Sequence, residues 1–201
     1  MNTAKSIRTN LRKLPKGKPF TNSRFLKYGS RGAVDRALSR LVAEGTIKRV
    51  AQGVFVRPKK NRFVGDVMPD VSEVIKTIAK SNHETLQVHG AEAARRFKLS
   101  TQMPIVTVFH TSASSRSIKI GKNTVKMIHT SNQRLLQFAG EKTGLALSAL
   151  WYVGKDNVNE EAVSKIKLGL SAKEFKALRS ADIPVWMATA LNEFVQGSVH
   201  E

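Results

Sequence analysis

Between residues 31 and 44 the apolar positions fall at Val34, Ala37, Leu38 and Leu41. That spacing, i, i+3, i+4, i+7, is one face of an amphipathic helix. Gly32, Arg36, Ser39, Arg40 and Ala43 take the opposite face, and Gly45-Thr46 ends the helix. Ahead of it, Thr21 onward reads as a shorter helix. Thr21 is its expected N-cap, and Phe20 and Phe25 stand at the two positions of a hydrophobic staple. Tyr28-Gly29-Ser30 reads as a tight turn between the helices. There Gly29 is expected to supply a positive φ, and Ser30 to cap the next N-terminus. Beyond the second helix, residues 47–50 and 54–57 read as a hairpin turning at Ala51-Gln52-Gly53.

The order of helix, glycine turn, basic amphipathic helix and basic hairpin predicts a winged helix-turn-helix, with residues 31–44 as the recognition helix. A helix over 3–14 precedes it, with Ile7, Leu11 and Leu14 on one stripe. The charged run Pro58 to Arg62 marks a boundary near residue 60, followed by a linker or docking strand at 63–69. The remainder predicts helices from Pro69 through Ile78, over 90–97, 135–138, 143–152, 158–168 and 172–181, and after Pro184. Strands are predicted at 85–88, at 104–109 as a buried run, and as a hairpin around Gly121-Lys122-Asn123. Asn157 with Glu160 and Ser171 with Glu174 are capping-box patterns. The fold class is therefore α+β, with domains at 1–60 and 61–201. The second is a mixed α/β domain with a small sheet and several helices.

Charge sharpens this picture. The 201-residue chain has 34 Lys+Arg against 15 Asp+Glu, a net charge of +19. Residues 1–60 hold 16 of those cations and 2 of those acids, so the first 60 residues carry +14 and the rest only +5. So concentrated a charge repels itself on folding and points to a polyanionic partner. The chain has no cysteine, which excludes a disulfide framework, cysteine-ligated zinc and thiol catalysis. No apolar run approaches the ~18 residues that suggest a membrane span. The expectation is a soluble cytoplasmic protein with no membrane partner.

Within the basic half, Arg36 and Arg40 are the candidate base readers, because a guanidinium can donate two parallel hydrogen bonds to a guanine edge. Ser39 shares their face. Arg24, Lys27, Ser30, Arg31, Lys48, Arg49 and Arg57 are candidate backbone contacts, which position without reading sequence. Gln52 at the turn is a candidate minor-groove contact. His89, His110 and His129 lack the short-range spacing of a zinc motif, so the reading is half-buried, hydrogen-bonded histidine, with no metal and no cofactor. Asp66, Asp70 and Glu73 cluster around a helix start, where acids favour the dipole. Ser112, Ser114 and Ser115 lie in no nucleophile elbow or phosphate cradle and read as loop residues.

The segment Gly45-Thr46-Ile47-Lys48-Arg49-Val50-Ala51-Gln52-Gly53-Val54-Phe55-Val56-Arg57 resembles the wing of AbiEi-type antitoxins. Residues 86–90 and 107–111 are similar to a branch of the same superfamily. The resemblance covers most of the chain and is firmest over 20–57. It implies a non-enzymatic, DNA-binding transcriptional repressor that autoregulates its operon as the antitoxin of a bacterial type IV, abortive-infection toxin–antitoxin system. Its implied partners are double-stranded operator DNA and a nucleotidyltransferase-like toxin, engaged directly or only functionally; a homodimer on the DNA is left open. Two other readings stand beside it: a nucleic-acid-processing enzyme targeted by a winged helix, and an RNA-binding protein. The shortage of exposed aromatics expected over 21–57 weighs against single-strand stacking.

Overall fold

The computed structural model describes residues 3–63 and 65–197 of a mixed α+β chain. Two units are distinguished, Met1–Glu84 with Ile118–Thr124, and Thr85–Ser117 with Val125–Glu201. The expected boundary near residue 60 thus falls inside the first unit, which continues to Glu84.

The first unit opens with α1 (Thr3–Lys13), β1 (Pro19–Thr21), a 3-10 helix (Asn22–Tyr28) and α2 (Arg31–Ala43). β2 (Lys48–Ala51), β3 (Val54–Val56), β4 (Lys59–Asn61), β5 (Gly65–Val67) and α3 (Val71–Ser81) follow. β1, β3 and β2 form an antiparallel sheet in that order. Its core is built from Ile7 and Leu11 of α1, Val34, Ala37, Leu38 and Leu41 of α2, and Phe20, Phe25, Ile47 and Phe55. Phe20 and Phe25 meet edge-on with ring centroids 5.7 Å apart, so the staple forms.

Several local expectations are corrected. The segment after Thr21 is a 3-10 helix, and the Thr21 side chain does not cap it. Its hydroxyl lies 2.6 Å from that of Ser23 and 3.0 Å from that of Ser81. β1 was not anticipated, because three residues starting at a proline make a weak pattern; as an edge strand it tolerates the missing N–H. Gly29 has φ 166°, which is extended backbone open to any residue. Its requirement is steric: a Cβ there would lie 2.7 Å from Thr3 Oγ1, which donates to the Tyr28 carbonyl at 2.9 Å. Leu26 is 41% exposed. In a 3-10 helix, residues three apart eclipse, so Phe25 and Tyr28 share the inner side and Leu26 turns outward. The expected linker over 63–69 contains one arm of the β4–β5 ribbon. Asp70 caps α3 by accepting from Ser72 N at 2.8 Å, and Glu73 stands in its first turn.

The second unit contains β6 (Leu86–Val88), α4 (Gly90–Arg96) and β7 (Thr107–Thr111). β8 (Arg116–Ile120) and β9 (Asn123–His129) form the expected hairpin, whose residues 118–124 group with the first unit. α5 (Lys142–Val153), α6 (Glu160–Gly169), α7 (Ala172–Arg179) and α8 (Val185–Gly197) complete the chain. The sheet order is β6-β7-β9-β8, with β6 antiparallel and β9 parallel to β7. α5 is buried along most of its length, with Leu147 and Leu150 among Ala93, Ala94, Ile166, Leu178 and Met187.

Here too some boundaries move. The central strand starts at Thr107, and Ile105, expected to be buried, is 101% exposed. Pro104 cannot donate to a ladder, which excludes it from a strand paired on both sides. Residues 135–138 form turns, with Phe138 at φ 51°, instead of a short helix. Asn159, not Asn157, caps α6 by accepting from Ala162 N at 2.9 Å; Asn157 donates to the Val153 carbonyl at the end of α5. The Ser171–Glu174 capping box forms as expected. α8 starts one residue after Pro184, whose carbonyl accepts from Met187 N and Ala188 N.

Candidate nucleic-acid interface

α2 separates its side chains cleanly. Val34, Leu38 and Leu41 are at most 2% exposed, while Arg36, Ser39 and Arg40 face solvent. Burying the first face against α1 and the sheet compels the second outward. Ser30 caps the helix by accepting from Ala33 N at 3.4 Å. Asp35, on the flank, accepts from Asn22 Nδ2 at 2.9 Å and so ties α2 to the 3-10 helix. The same carboxylate lies 3.5 Å from Arg31, an exposed pair whose net contribution is small. Arg24 and Lys27 are exposed on the 3-10 helix, with the Lys27 ammonium 5.2 Å from the Tyr28 ring centroid.

The β2–β3 hairpin is shaped by a bulge between Arg49 and Ala51. The extra residue breaks strict alternation, so Lys48 and Arg49 both face solvent and Val50 and Ala51 both face the core. Arg49 places its guanidinium 5.4 Å from the Phe55 ring centroid, a cation–π contact that holds the charge over the sheet. Gln52 is exposed in the turn, which Gly53 makes at φ 71°. Lys48 pairs with Asp66 at 2.6 Å. The hydrogen bond from Lys48 holds the Asp66 carboxyl below its usual range.

Arg57 differs from its expected role. It is half-buried, and its guanidinium donates to the carbonyls of Arg12, at 2.9 Å, and Leu14. The end of α1 leaves carbonyls without helical partners, and Arg57 satisfies two of them. It is therefore a structural clamp in this conformation. The expected surface thus keeps Arg24, Lys27, Arg31, Arg36, Ser39, Arg40, Arg49 and Gln52 exposed, with Lys48 exposed but paired. Sequence reasoning missed the neighbouring cations Lys59, Lys60 and Arg62 as parts of an ordered ribbon; the available signal was the turn-forming pair Asn61 and Gly65.

A DUF6088 family model matches residues 6–178. The chain belongs to this family, described as one of unknown function. No curated protein matches the DUF6088 chain at a significant level.

Among the described residues no group of three His, Cys, Asp or Glu side chains is arranged to hold a metal ion. Among those residues, too, no helix is long and apolar enough to cross a membrane. On α4, Arg95 and Arg96 both bond Glu92, at 2.7 and 2.8 Å, and the Arg95 bond foremost lowers that carboxyl to about 2. His129 Nδ1 lies 3.0 Å from the Ala113 carbonyl, and Ser115 and Ser112 accept from backbone N–H groups.

His89 and His110 stack with ring centroids 4.9 Å apart, beside Tyr152. His89 Nδ1 accepts from Ala91 N and caps α4, whereas the buried Nδ1 of His110 has no hydrogen-bond partner among the described residues. Burial lowers both pKa values from 6.5, and for His110 the charge of His89 adds to this. The unfolded chain then binds protons first, so these groups oppose folding as pH falls below about 6.5, until their lower folded values are reached. Denaturant midpoints taken between pH 7.5 and 5 should fall more steeply for the wild type than for His110→Phe. Parallel curves would remove the stacked pair as the cause.

Proposed function

We propose that the first unit is a winged helix-turn-helix and that the chain is a DNA-binding transcriptional repressor. In this reading α2 is the recognition helix and β2–β3 is the wing. It carries the expected antitoxin role in a type IV system, with the second unit supplying dimerisation or toxin neutralisation. The observation that carries the reading is the division of α2: a fully buried apolar face opposite an exposed Arg36–Ser39–Arg40 face, on a module that concentrates the chain's positive charge. A helix with small residues beside two arginines can enter a major groove and reach guanine edges.

The test compares operator with scrambled duplex across a salt series, the operator being sought in the DNA upstream of the gene. Arg40→Ala should lose about 1–3 kcal/mol on the operator but little on scrambled DNA, and relax preference at one base pair. Arg49→Ala should weaken both targets alike and reduce the salt slope by about one. Equal losses on the two targets for Arg40→Ala would make Arg40 a phosphate clamp. Absence of duplex binding by the folded wild type would end the repressor reading. Neutralisation is a separate matter, tested by co-expression with the product of an adjacent nucleotidyltransferase-like gene.

A further inference from the structure

β4 and β5 form a two-stranded ribbon in which Lys59 faces Val67, Lys60 faces Asp66 and Asn61 faces Gly65. Every β4 side chain is exposed. Arg62 and Phe63 stand beyond the last pair, and Phe63 is 89% exposed. Water is a poor environment for such a ring, and other phenylalanines of this unit, Phe20, Phe25 and Phe55, are buried. The Phe63 N–H donates to Asn61 Oδ1 at 2.8 Å, a side-chain turn that ties the backbone where β4 ends.

The ribbon is also anchored. The 2.6 Å pair between Lys48 and Asp66 ties β5 to β2 within the same unit. At the other strand, a Cβ on Gly17 would sit 3.4 Å from Lys59 Cβ, so the Lys16–Lys18 loop runs alongside β4. The result is an exposed aromatic ring at the end of a fixed ribbon flanked by Lys59, Lys60 and Arg62. Cations along a ribbon meet phosphates, and an apolar side chain at its end can wedge between base steps in a minor groove.

We propose that the β4–β5 ribbon is a second duplex-DNA contact, with Phe63 entering a minor-groove base step and Lys59, Lys60 and Arg62 holding the adjoining phosphates. This rests on the repressor reading and adds a contact outside α2 and its wing. The partner is commonly deformable duplex: pyrimidine–purine steps open most readily.

The experiment uses the full chain and a random-sequence duplex carrying 2-aminopurine at a TA step, whose fluorescence rises on unstacking. Wild-type protein should raise the signal. Phe63→Ala should abolish the rise and weaken duplex binding at least about fivefold at unchanged salt slope. Phe63→Leu should retain the rise, since leucine also serves as a wedge. Lys59→Ala with Arg62→Ala should reduce the salt slope by about two. Thermal melts check that these exposed positions leave folding intact. Wild-type affinity and fluorescence response in Phe63→Ala would overturn the proposal, as would a loss seen only on single-stranded DNA or on anionic vesicles. In each of those outcomes duplex binding by the wild type persists, which separates failure of the ribbon from failure of the repressor reading.

Discussion

Leu38→Ala should destabilise the first unit by about 2–5 kcal/mol. Leu38 is fully buried, in the cluster that joins Ile7 and Leu11 of α1 with Phe25, Val34, Leu41 and Phe55. Truncation removes the transfer free energy of the lost carbons and leaves a cavity between elements that are pinned independently. α1 is held at its end by Arg57, and α2 is tied to the 3-10 helix through Asp35 and Asn22. Neither can easily collapse into the gap. Leu26→Ala is the control, because the same chemical change at a 41% exposed position should stay near the ±0.5 kcal/mol of ordinary surface substitutions. Urea unfolding followed on both variants tests this; equal midpoints for Leu38→Ala and wild type would mean the buried and exposed faces of α2 are exchanged.

Gly144→Ala should destabilise the second unit by about 3 kcal/mol, the upper end of ordinary overpacking. A Cβ at Gly144 would lie 2.2 Å from the Phe138 carbonyl oxygen and 2.7 Å from Gln87 Nε2. The first neighbour is backbone, already in the left-handed region at φ 51°, so it cannot swing aside as a side chain would. The second donates to the carbonyls of Leu135 and Gln137, and Gln87 is only 1% exposed. Displacing it would strand a buried amide. Calorimetry of Gly144→Ala beside Gly32→Ala, where nothing lies within 4 Å of the added carbon, checks the prediction. A Gly144→Ala variant as stable as wild type would show that the turn over 135–138 yields freely.

α2 was legible in the sequence because its period of apolar residues and its cap are local quantities. The positions Val34, Ala37, Leu38 and Leu41 share a face wherever the helix is placed, and Ser30 caps it from an adjacent residue. The Ser171–Glu174 box, the β8–β9 hairpin and the concentration of charge were readable for the same reason. The exposed arginines of α2 followed directly, since one face of a helix fixes the other.

What tertiary structure decided involves partners far apart in the chain. Arg57 resembles any other basic residue of the hairpin segment until the end of α1 arrives with two carbonyls to satisfy, 45 and 43 residues away. Gly29 is required by the approach of Thr3, not by its own dihedral angles. β1 exists because β3 lies beside it, β7 excludes Pro104 because both its edges are paired, and the β4–β5 ribbon draws the first unit past residue 60. Local pattern determines which groups share a face. Which of those faces is left for a ligand depends on long-range packing, because a buried donor or a crowded Cβ must find its complement wherever the chain supplies one.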